Sequence, residues 1–138
     1  MATIASIRTA IKTILSTITE IAYVYDYHNP DLEGYPAVTF DMSDQEGDFL
    51  TNVQNEEAIS YIFMVYQEVK EKTQAQAKDI LDTVADKIKI AFANNYSLSG
   101  VIDVCRPVIG ERVEIQTTQG LVYGQKITLK CRFSTLIV

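Results

Sequence analysis

The sequence predicts an α+β fold, in which an antiparallel sheet carries two amphipathic helices on one face in the order α-β-β-β-α-β-β. Two segments repeat apolar residues every three or four positions, as helices do, and five others alternate or run apolar, as strands do. Short connections between consecutive strands favour antiparallel pairs, and two helices can cover one face of such a sheet. With 138 residues, 47% of them hydrophobic, the chain is predicted to form one domain, residues 1–138.

The first helix is predicted over residues 3–22, because isoleucine and leucine recur there at helical spacing opposite polar residues. Next, Tyr23, Tyr25 and Tyr27 alternate with smaller residues, as in a strand that an Asn-Pro pair ends. The tyrosine face forms either part of the core or a subunit contact. The opposite face of this strand carries the smaller apolar side chains of Ala22 and Val24, which suit a core better, so the tyrosines are more readily assigned to a subunit contact.

The centre of the chain is predicted to hold two strands separated by a loop. One strand covers residues 35–42 and has Pro36 at its start, where a missing N–H does not interrupt a ladder. The polar stretch 43–57 contains few apolar anchors and is predicted to be a mobile or extended loop. The next strand, residues 58–69, is nearly apolar on both faces, which indicates a central position in the sheet.

The second helix has the clearest sequence pattern. Thr73 and Gln76 form a capping box that opens it, and two asparagines mark its end. Aspartate and lysine residues alternate on its polar side, Asp82 among them, which is typical of a solvated face. The predicted core face consists of Ala77, Ile80, Leu81, Val84, Ile88, Ala91 and Phe92.

The last two strands are predicted over residues 101–117, interrupted at Pro107 and Gly110, and over residues 121–138. The final strand alternates cleanly between an apolar and a cationic side. Its apolar side consists of Ile127, Leu129, Cys131 and Phe133. Its cationic side, with Lys126, Lys130 and Arg132, needs either water or a negative partner.

Charge is distributed unevenly along the chain. The net charge of −6 argues against sequence-independent binding of nucleic acid. Residues 13–69 contain eleven carboxylates and no Lys or Arg, whereas no carboxylate side chain follows Glu114. A single helical layer leaves the second face of the sheet to water or to another subunit, and the charged and tyrosine-rich strands favour a subunit.

The two cysteines, Cys105 and Cys131, lie in apolar strand-like runs without CxxC spacing. This context predicts small buried side chains and neither a disulfide nor a metal site. The N-terminal segment lacks a continuous apolar stretch long enough for a signal sequence or a membrane span. We therefore expect a protein of the reducing cytoplasm with no membrane partner.

The sequence contains no motif of an enzyme or of a cofactor site, such as a P-loop, GxGxxG, GxSxG or HExxH. His28 and Asp26 could form a general base and its orienting carboxylate, but a turn after a strand explains them more simply and no nucleophile is marked. We expect no enzyme and no cofactor.

Asp44, Glu46 and Asp48 alternate as the carboxylates of a calcium-binding loop do. An EF-hand requires Gly at its sixth position and Glu at its twelfth, where this chain has Phe49 and Asn55. A solvated acidic loop is therefore favoured over a loosely held divalent ion, and no metal site is predicted.

Separate acidic and basic regions allow copies of one chain to join head to tail, and such contacts generate a ring when the rotation closes. If the last strand lies at a sheet edge, its free backbone groups form a docking edge for a neighbouring copy. Acidic surfaces around an axial hole would repel phosphates, so that a DNA duplex passes without specific binding.

The stretch YPAVTFDMSDQEGDFLTNVQNEEAISYIFMVYQEV, residues 35–69, resembles the centre of the tail terminator, or tail-completion, proteins of long-tailed bacteriophages. In that family a PAV-type strand leads through a polar loop to a long F-x-V-x-Y-like strand. The helix that follows and the final strand KITLKCRF fit the same layout. The matching residues are Pro36, Ala37, Val38, Phe63, Val65 and Tyr66.

The resemblance implies a hexameric ring in the virion that caps the head-proximal end of the tail tube and joins it to the head. Its partners would be further copies of the chain, the tail tube protein below and the neck or connector protein above, after assembly in the bacterial host cytoplasm. Another ring of the neck or tube, or a small monomeric or dimeric binding module with an acidic face, are the alternatives.

The resemblance defines no interface residues, so the candidate contacts come from charge and aromatic content. Residues 44–57 are predicted to make loop contacts, through Asp44, Glu46, Asp48 and Phe49. The other candidate contacts are Tyr23, Tyr25, Tyr27, Lys126, Lys130 and Arg132.

Overall fold

The computed structural model describes residues 4–27, 34–49, 54–69, 74–98, 100–117 and 120–136. Two helices and five strands follow one another in the predicted order α-β-β-β-α-β-β, which confirms the α+β fold class. The elements are α1 (Ile4–Ser16), β1 (Tyr23–Tyr25), β2 (Ala37–Phe49), β3 (Gln54–Glu68), α2 (Gln74–Asn94), β4 (Val104–Thr117) and β5 (Gly120–Leu136).

The five strands form one sheet in the order β1-β2-β3-β5-β4. Strand β3 is central, as its two apolar faces predicted. All neighbouring pairs are antiparallel except β1 and β2, which are parallel, so the prediction of an antiparallel sheet is wrong for this pair. The prediction assumed a short connection between them, whereas residues 26–36 intervene, and parallel neighbours require a longer crossover than a hairpin provides.

The prediction that the last strand could be a docking edge is wrong. Strand β5 lies between β3 and β4, and both neighbours pair with it over most of its length. The edge position belongs to β4, which carries Pro107. Proline cannot donate to a ladder, so it is tolerated in a strand that pairs on one side only.

The predicted loop 43–57 is also largely strand. Strands β2 and β3 pair continuously from Ala37 opposite Tyr66 to Phe49 opposite Asn55, with one register shift between Met42 and Asp44. Residues 50–53 lie outside the described residues. Ladder hydrogen bonds join backbone groups, so a polar strand can pair without leaving an apolar alternation in the sequence.

The core lies between the two helices and one face of the sheet. The predicted apolar side of β5 is buried there, and β3 contributes every second residue to the same face. Phe63 joins the layers, because its ring packs against Phe40 of β2 and Phe92 of α2, with centroids 5.7 and 5.5 Å apart. The core face predicted for α2 is confirmed, with Ile80 and Ala91 at its half-buried margin.

Helix α1 ends at Ser16, six residues before the predicted end. The Thr17 hydroxyl donates to the Ile14 carbonyl, and the amides of Thr17 and Ile18 form tighter turns with the residues three positions earlier. Hydroxyl side chains that bond the preceding turn compete with the helical ladder. The apolar spacing continues to Ile21 because these turns still point Ile18 and Ile21 into the core.

Gln125 of β5, a buried residue, hydrogen-bonds to the backbone at the irregularity in β4. The register of β4 against β5 shifts between Ile109 and Arg112. The side chain of Gln125, 3% exposed, donates from Nε2 to the carbonyl oxygens of Gly110 at 2.9 Å and Lys126 at 3.0 Å. These bonds satisfy carbonyls close to the register shift, where buried polar groups would otherwise be unpaired.

The same glutamine links the sheet to α2. Arg112 donates from Nε to Gln125 Oε1 at 2.9 Å and from Nη2 to Asp82 Oδ1 at 2.6 Å. Asp82 lies on the exposed side of α2, as predicted, but it is also an inter-element partner, which the sequence pattern did not indicate. The charge-assisted bond to Arg112 links α2 to β4 and, through Gln125, to β5.

Replacing Gln125→Leu is expected to destabilise the fold by about 2 kcal/mol, because the bulge carbonyls and the Arg112 donor lose a buried partner. Urea unfolding monitored by circular dichroism measures the change. Gln74→Leu, at an exposed position at the start of α2, serves as the matched control. A Gln125→Leu protein as stable as this control would show that water satisfies the bulge equally well.

The two cysteines are free and buried, and they occupy directly opposite positions of β4 and β5. Burial raises the pKa of Cys105 to about 11. Burial, with a smaller contribution from Cys105, raises the pKa of Cys131 to about 12. The prediction of small buried side chains is confirmed, and these thiols stay protonated at neutral pH.

We expect both thiols to resist alkylation in the folded protein at pH 8.5, where an ordinary exposed cysteine is about half ionised. The unfolded chain releases these thiol protons first, so their contribution to the unfolding free energy is complete below about pH 8 and is lost as pH rises from about 9. Iodoacetamide labelling followed by mass spectrometry, with and without urea, measures how fast the two thiols are alkylated. Rapid labelling without urea would contradict the buried, protonated state.

Candidate functional site

One face of the sheet carries no helix among the described residues. Strand positions that alternate with the core positions face this way, including Ile62 and Met64 of β3 and Thr128 of β5, all half-buried. We call this side the uncovered face. A sheet face with both apolar and charged side chains and no second layer is a candidate contact surface.

Cations cluster on the uncovered face. Lys130 of β5 lies directly opposite Arg106 of β4 on one side and Ser60 of β3 on the other. Arg132 follows two positions later, between Val104 and Ala58. These side chains surround an open depression of about 560 Å³. We call Arg106, Lys130 and Arg132 the cationic patch.

The cationic patch contains like charges at a cross-strand position. Among the side chains that the structure describes, which do not include those of residues 44–57, no carboxylate lies within 4 Å of the side-chain nitrogens of Arg106 or Lys130. Like charges directly opposite one another in a sheet are destabilising unless an anion approaches them. The Arg106–Lys130 pair therefore favours a negative partner.

An apolar region surrounds Gly124 of β5, on the same face as the patch but six positions before Lys130 along the strand. A Cβ atom at this position would lie 3.1 Å from the terminal methyl carbon of Met64 and 3.2 Å from Cγ2 of Val113. The side chains from β3 and β4 thus close over the glycine backbone. This packing buries Val122 and Gly124 even though no helix covers this face.

The outer edge of β4 has no strand partner within the described ranges. Its exposed apolar side chains are Val104, Val108, Ile109 and Ile115. On the opposite edge of the sheet, β1 pairs with β2 at Ala37–Thr39 only, which leaves the rest of the described β2 edge open. Open edges with apolar side chains are templates for pairing with another chain.

The tyrosines lie beside the β2 edge. Tyr23 and Tyr27 are 40% and 53% exposed, so the core alternative is wrong for them, and Tyr25 is half-buried. Their rings contact one another in sequence, with centroids 6.4 Å apart for Tyr23 and Tyr25 and 6.0 Å apart for Tyr25 and Tyr27. A subunit contact through this stripe stays a prediction.

The remaining predicted contact residues lie in β2. Asp44, Glu46, Asp48 and Phe49 pair through their backbones with Ser60, Ala58, Glu56 and Asn55 of β3. The structure does not bring this acidic segment and the tyrosine stripe into one site. Lys126, a predicted contact, is half-buried on β5, and Lys130 and Arg132 are exposed in the cationic patch.

Sequence reasoning missed Arg106. It lies far from Lys130 along the chain, and only the pairing of β4 with β5 brings the two together. A cation in a strand next to a predicted cationic strand was the available signal, but the strand order was needed to use it.

No group of three His, Cys, Asp or Glu side chains that could hold a metal ion occurs in the described part of the chain. Asp26 forms an ion pair with Lys12 at 3.9 Å, and His28 lies outside the described residues. Neither helix, over its described length, is both long and apolar enough to cross a membrane.

The fold and its surfaces define a two-layer α+β body with one uncovered, partly cationic sheet face. A similar fold occurs in a chain of the virion of a native gene transfer agent particle, with a TM-score of 0.53 and 12% sequence identity, over 95% of this chain and 96% of that chain. No protein-family model matches the sequence, and no curated protein matches it. The structural similarity shows a shared fold.

Replacing Lys130→Glu is expected to stabilise the isolated subunit by about 0.5 kcal/mol, because repulsion from Arg106 becomes attraction. Urea unfolding at low protein concentration measures this, and the gain should shrink with added salt. Lys89→Glu, at an exposed position of α2, is the charge-matched control. Equal effects of the two substitutions would show that repulsion between Lys130 and Arg106 does not lower the unfolding free energy.

Proposed function

We propose that this chain is a structural protein of a phage-like virion: a tail terminator that forms a hexameric ring at the head-proximal end of the tail tube. The proposal depends on one observation. Over nearly its whole length this chain shares its fold with a chain of a gene transfer agent virion, and the sheet of this chain has an open face that bears a cationic patch. The resemblance of residues 35–69 to tail terminators selects this ring among virion proteins.

The surfaces of the subunit suit head-to-tail assembly. The β4 edge and the β2 edge lie at opposite ends of the sheet order, so a neighbour that approaches one leaves the other free. Contacts between two different surfaces continue from copy to copy and close into a ring at a suitable rotation. Exposed apolar residues on β4 and exposed tyrosines near β2 supply the buried contact area that such an interface requires.

Charge determines which surface can face the DNA. A lumen lined by the cationic patch would bind phosphates, because neutralising them releases counterions. Passage of the genome requires weak contacts, so the proposal places the patch against protein and the acidic surfaces toward the lumen. The net charge of −6 is consistent with this arrangement.

The ring would stop polymerisation of the tail tube protein below it and present a surface to the neck or connector protein above it. Neither step requires catalysis or a cofactor. We therefore propose a structural, non-enzymatic role, with assembly in the host cytoplasm and a final location in the virion.

Omitting this chain from particle assembly is expected to give tail tubes of uncontrolled length that do not join heads, because nothing caps the tube. Electron microscopy of lysates, with tail lengths measured, tests this. Supplying the wild-type chain in trans is the control and should restore uniform joined tails. Tails of normal length that fail only to join heads would indicate a ring of the neck, and normal particles would exclude a structural role.

A further inference from the structure

A second depression, of about 430 Å³, lies on the helical side of the subunit, between α2 and the end of β3. Its apolar walls include Pro36 and Ile80, and two carboxylates, Glu20 and Asp79, line it. Gln67, at the end of β3, also lines it and is 2% exposed. We call this depression the acidic pocket.

Gln67 has an unsatisfied acceptor. Its Nε2 donates to the Glu68 carbonyl at 3.0 Å, which determines the orientation of the amide, because the opposite orientation would place two acceptors together. The Oε1 atom is buried and has no hydrogen-bond partner in the described structure. A buried unsatisfied acceptor destabilises the subunit, so a donor that enters the pocket and bonds this oxygen would offset that cost.

The electrostatics of the acidic pocket favour a cation. Lys87 approaches Glu20 at 3.9 Å, a long and exposed ion pair, and no cation lies within 4 Å of the Asp79 carboxylate within the described ranges. Tyr35 also lines the pocket, and its pKa is raised mainly by burial and secondly by the negative charge of Glu68. The Glu68 carboxylate therefore adds to the negative potential of this region. Lys78, the other cation of this part of α2, lies over the Tyr123 ring, 5.5 Å from its centroid.

We propose that the acidic pocket binds the Arg106 and Lys130 side chains of a second copy of this chain. Apolar walls suit the methylene stems of these side chains, while Glu20, Asp79 and Gln67 Oε1 suit their charged ends. Among the described side chains, Asp79 and Gln67 Oε1 of the pocket thus lack donors, and Arg106 and Lys130 lack a carboxylate partner. This inference rests on the proposed function, because it adds a charged contact to the head-to-tail interface of the proposed ring.

The positions of the two surfaces require a head-to-tail contact. The pocket lies on the helical face, beside the end of β3 where Gln67 pairs with Tyr123. The Arg106–Lys130 pair lies on the uncovered face, seven positions further along β5. Because opposite faces of one subunit cannot meet the same neighbour, each copy binds one neighbour through its pocket and another through its patch.

Reversing the charge of either surface should prevent self-association. The pocket variant combines Glu20→Lys with Asp79→Lys, and the patch variant combines Arg106→Glu with Lys130→Glu. When either variant is present alone, every contact between a pocket and a patch brings like charges together. Association should therefore weaken by about a hundredfold or more. Native mass spectrometry and sedimentation velocity, over a range of concentrations, measure the assemblies.

Mixing the two variants gives the decisive result. The cationic pocket of one should receive the anionic patch of the other, and the converse contact should also form, so the mixture should assemble in alternation. Charge-reversal controls at exposed helical positions outside both surfaces, Asp86→Lys for the pocket variant and Arg8→Glu with Lys89→Glu for the patch variant, should assemble like the wild type.

Replacing Gln67→Met provides an independent readout. It removes the unsatisfied acceptor, so the isolated subunit should unfold at an equal or higher temperature while association weakens by about tenfold. Unchanged association would show that the amide contacts no neighbour and would overturn its role.

Failure of the inference is distinguishable from failure of the proposed function. If the wild type assembles and the charge-reversed variants assemble equally well, or if their mixture fails to assemble, the pocket does not receive the patch, yet the ring stands. If the wild type stays monomeric at its highest soluble concentration, both are overturned. If the pocket variant still self-associates but no longer completes tails, the occupant is another virion protein and the second-copy assignment is wrong.

Discussion

In the part of the chain that the structure describes, a single helical layer covers one face of a five-stranded sheet, and the other structural features depend on this arrangement. Core packing against α1 and α2 satisfies the apolar side chains of one face, and the hydrophobic effect supplies most of the stability there. The other face has no covering layer in the described structure and holds half-buried apolar residues next to cations. Its strand residues form one candidate contact surface, whereas the core residues of the covered face stabilise the fold.

Polar side chains connect the two layers at places where the sheet is irregular. Gln125 is buried because the register shift in β4 leaves carbonyl groups that need donors, and Arg112 extends this contact to Asp82 of α2. Buried polar groups of this kind specify one arrangement, since every alternative leaves donors or acceptors unpaired. Gln67 differs from Gln125 because its amide oxygen has no hydrogen-bond partner among the described residues.

The proposed assembly would relieve two features of the subunit, namely the like-charge pair of Arg106 and Lys130 and the unsatisfied acceptor of Gln67. Each feature costs stability in isolation and is relieved by a complementary surface. The fold is similar to that of a chain from a virion at only 12% identity, so most side chains differ between the two proteins.

The sequence by itself determined the elements, their order and the faces of the long regular ones. Apolar periodicity is a local property, so it identified α2, the central strand β3 and the inward side of β5 correctly. Only the tertiary structure decided the strand order, the parallel pairing of β1 with β2 and the strand character of residues 43–49 and 54–57. Backbone pairing causes these features, and it does not depend on side-chain polarity. For the same reason, the Arg106–Lys130 pair and the acidic pocket could not be read from the chain: each combines residues that are distant in sequence and adjacent only after the sheet and helices pack.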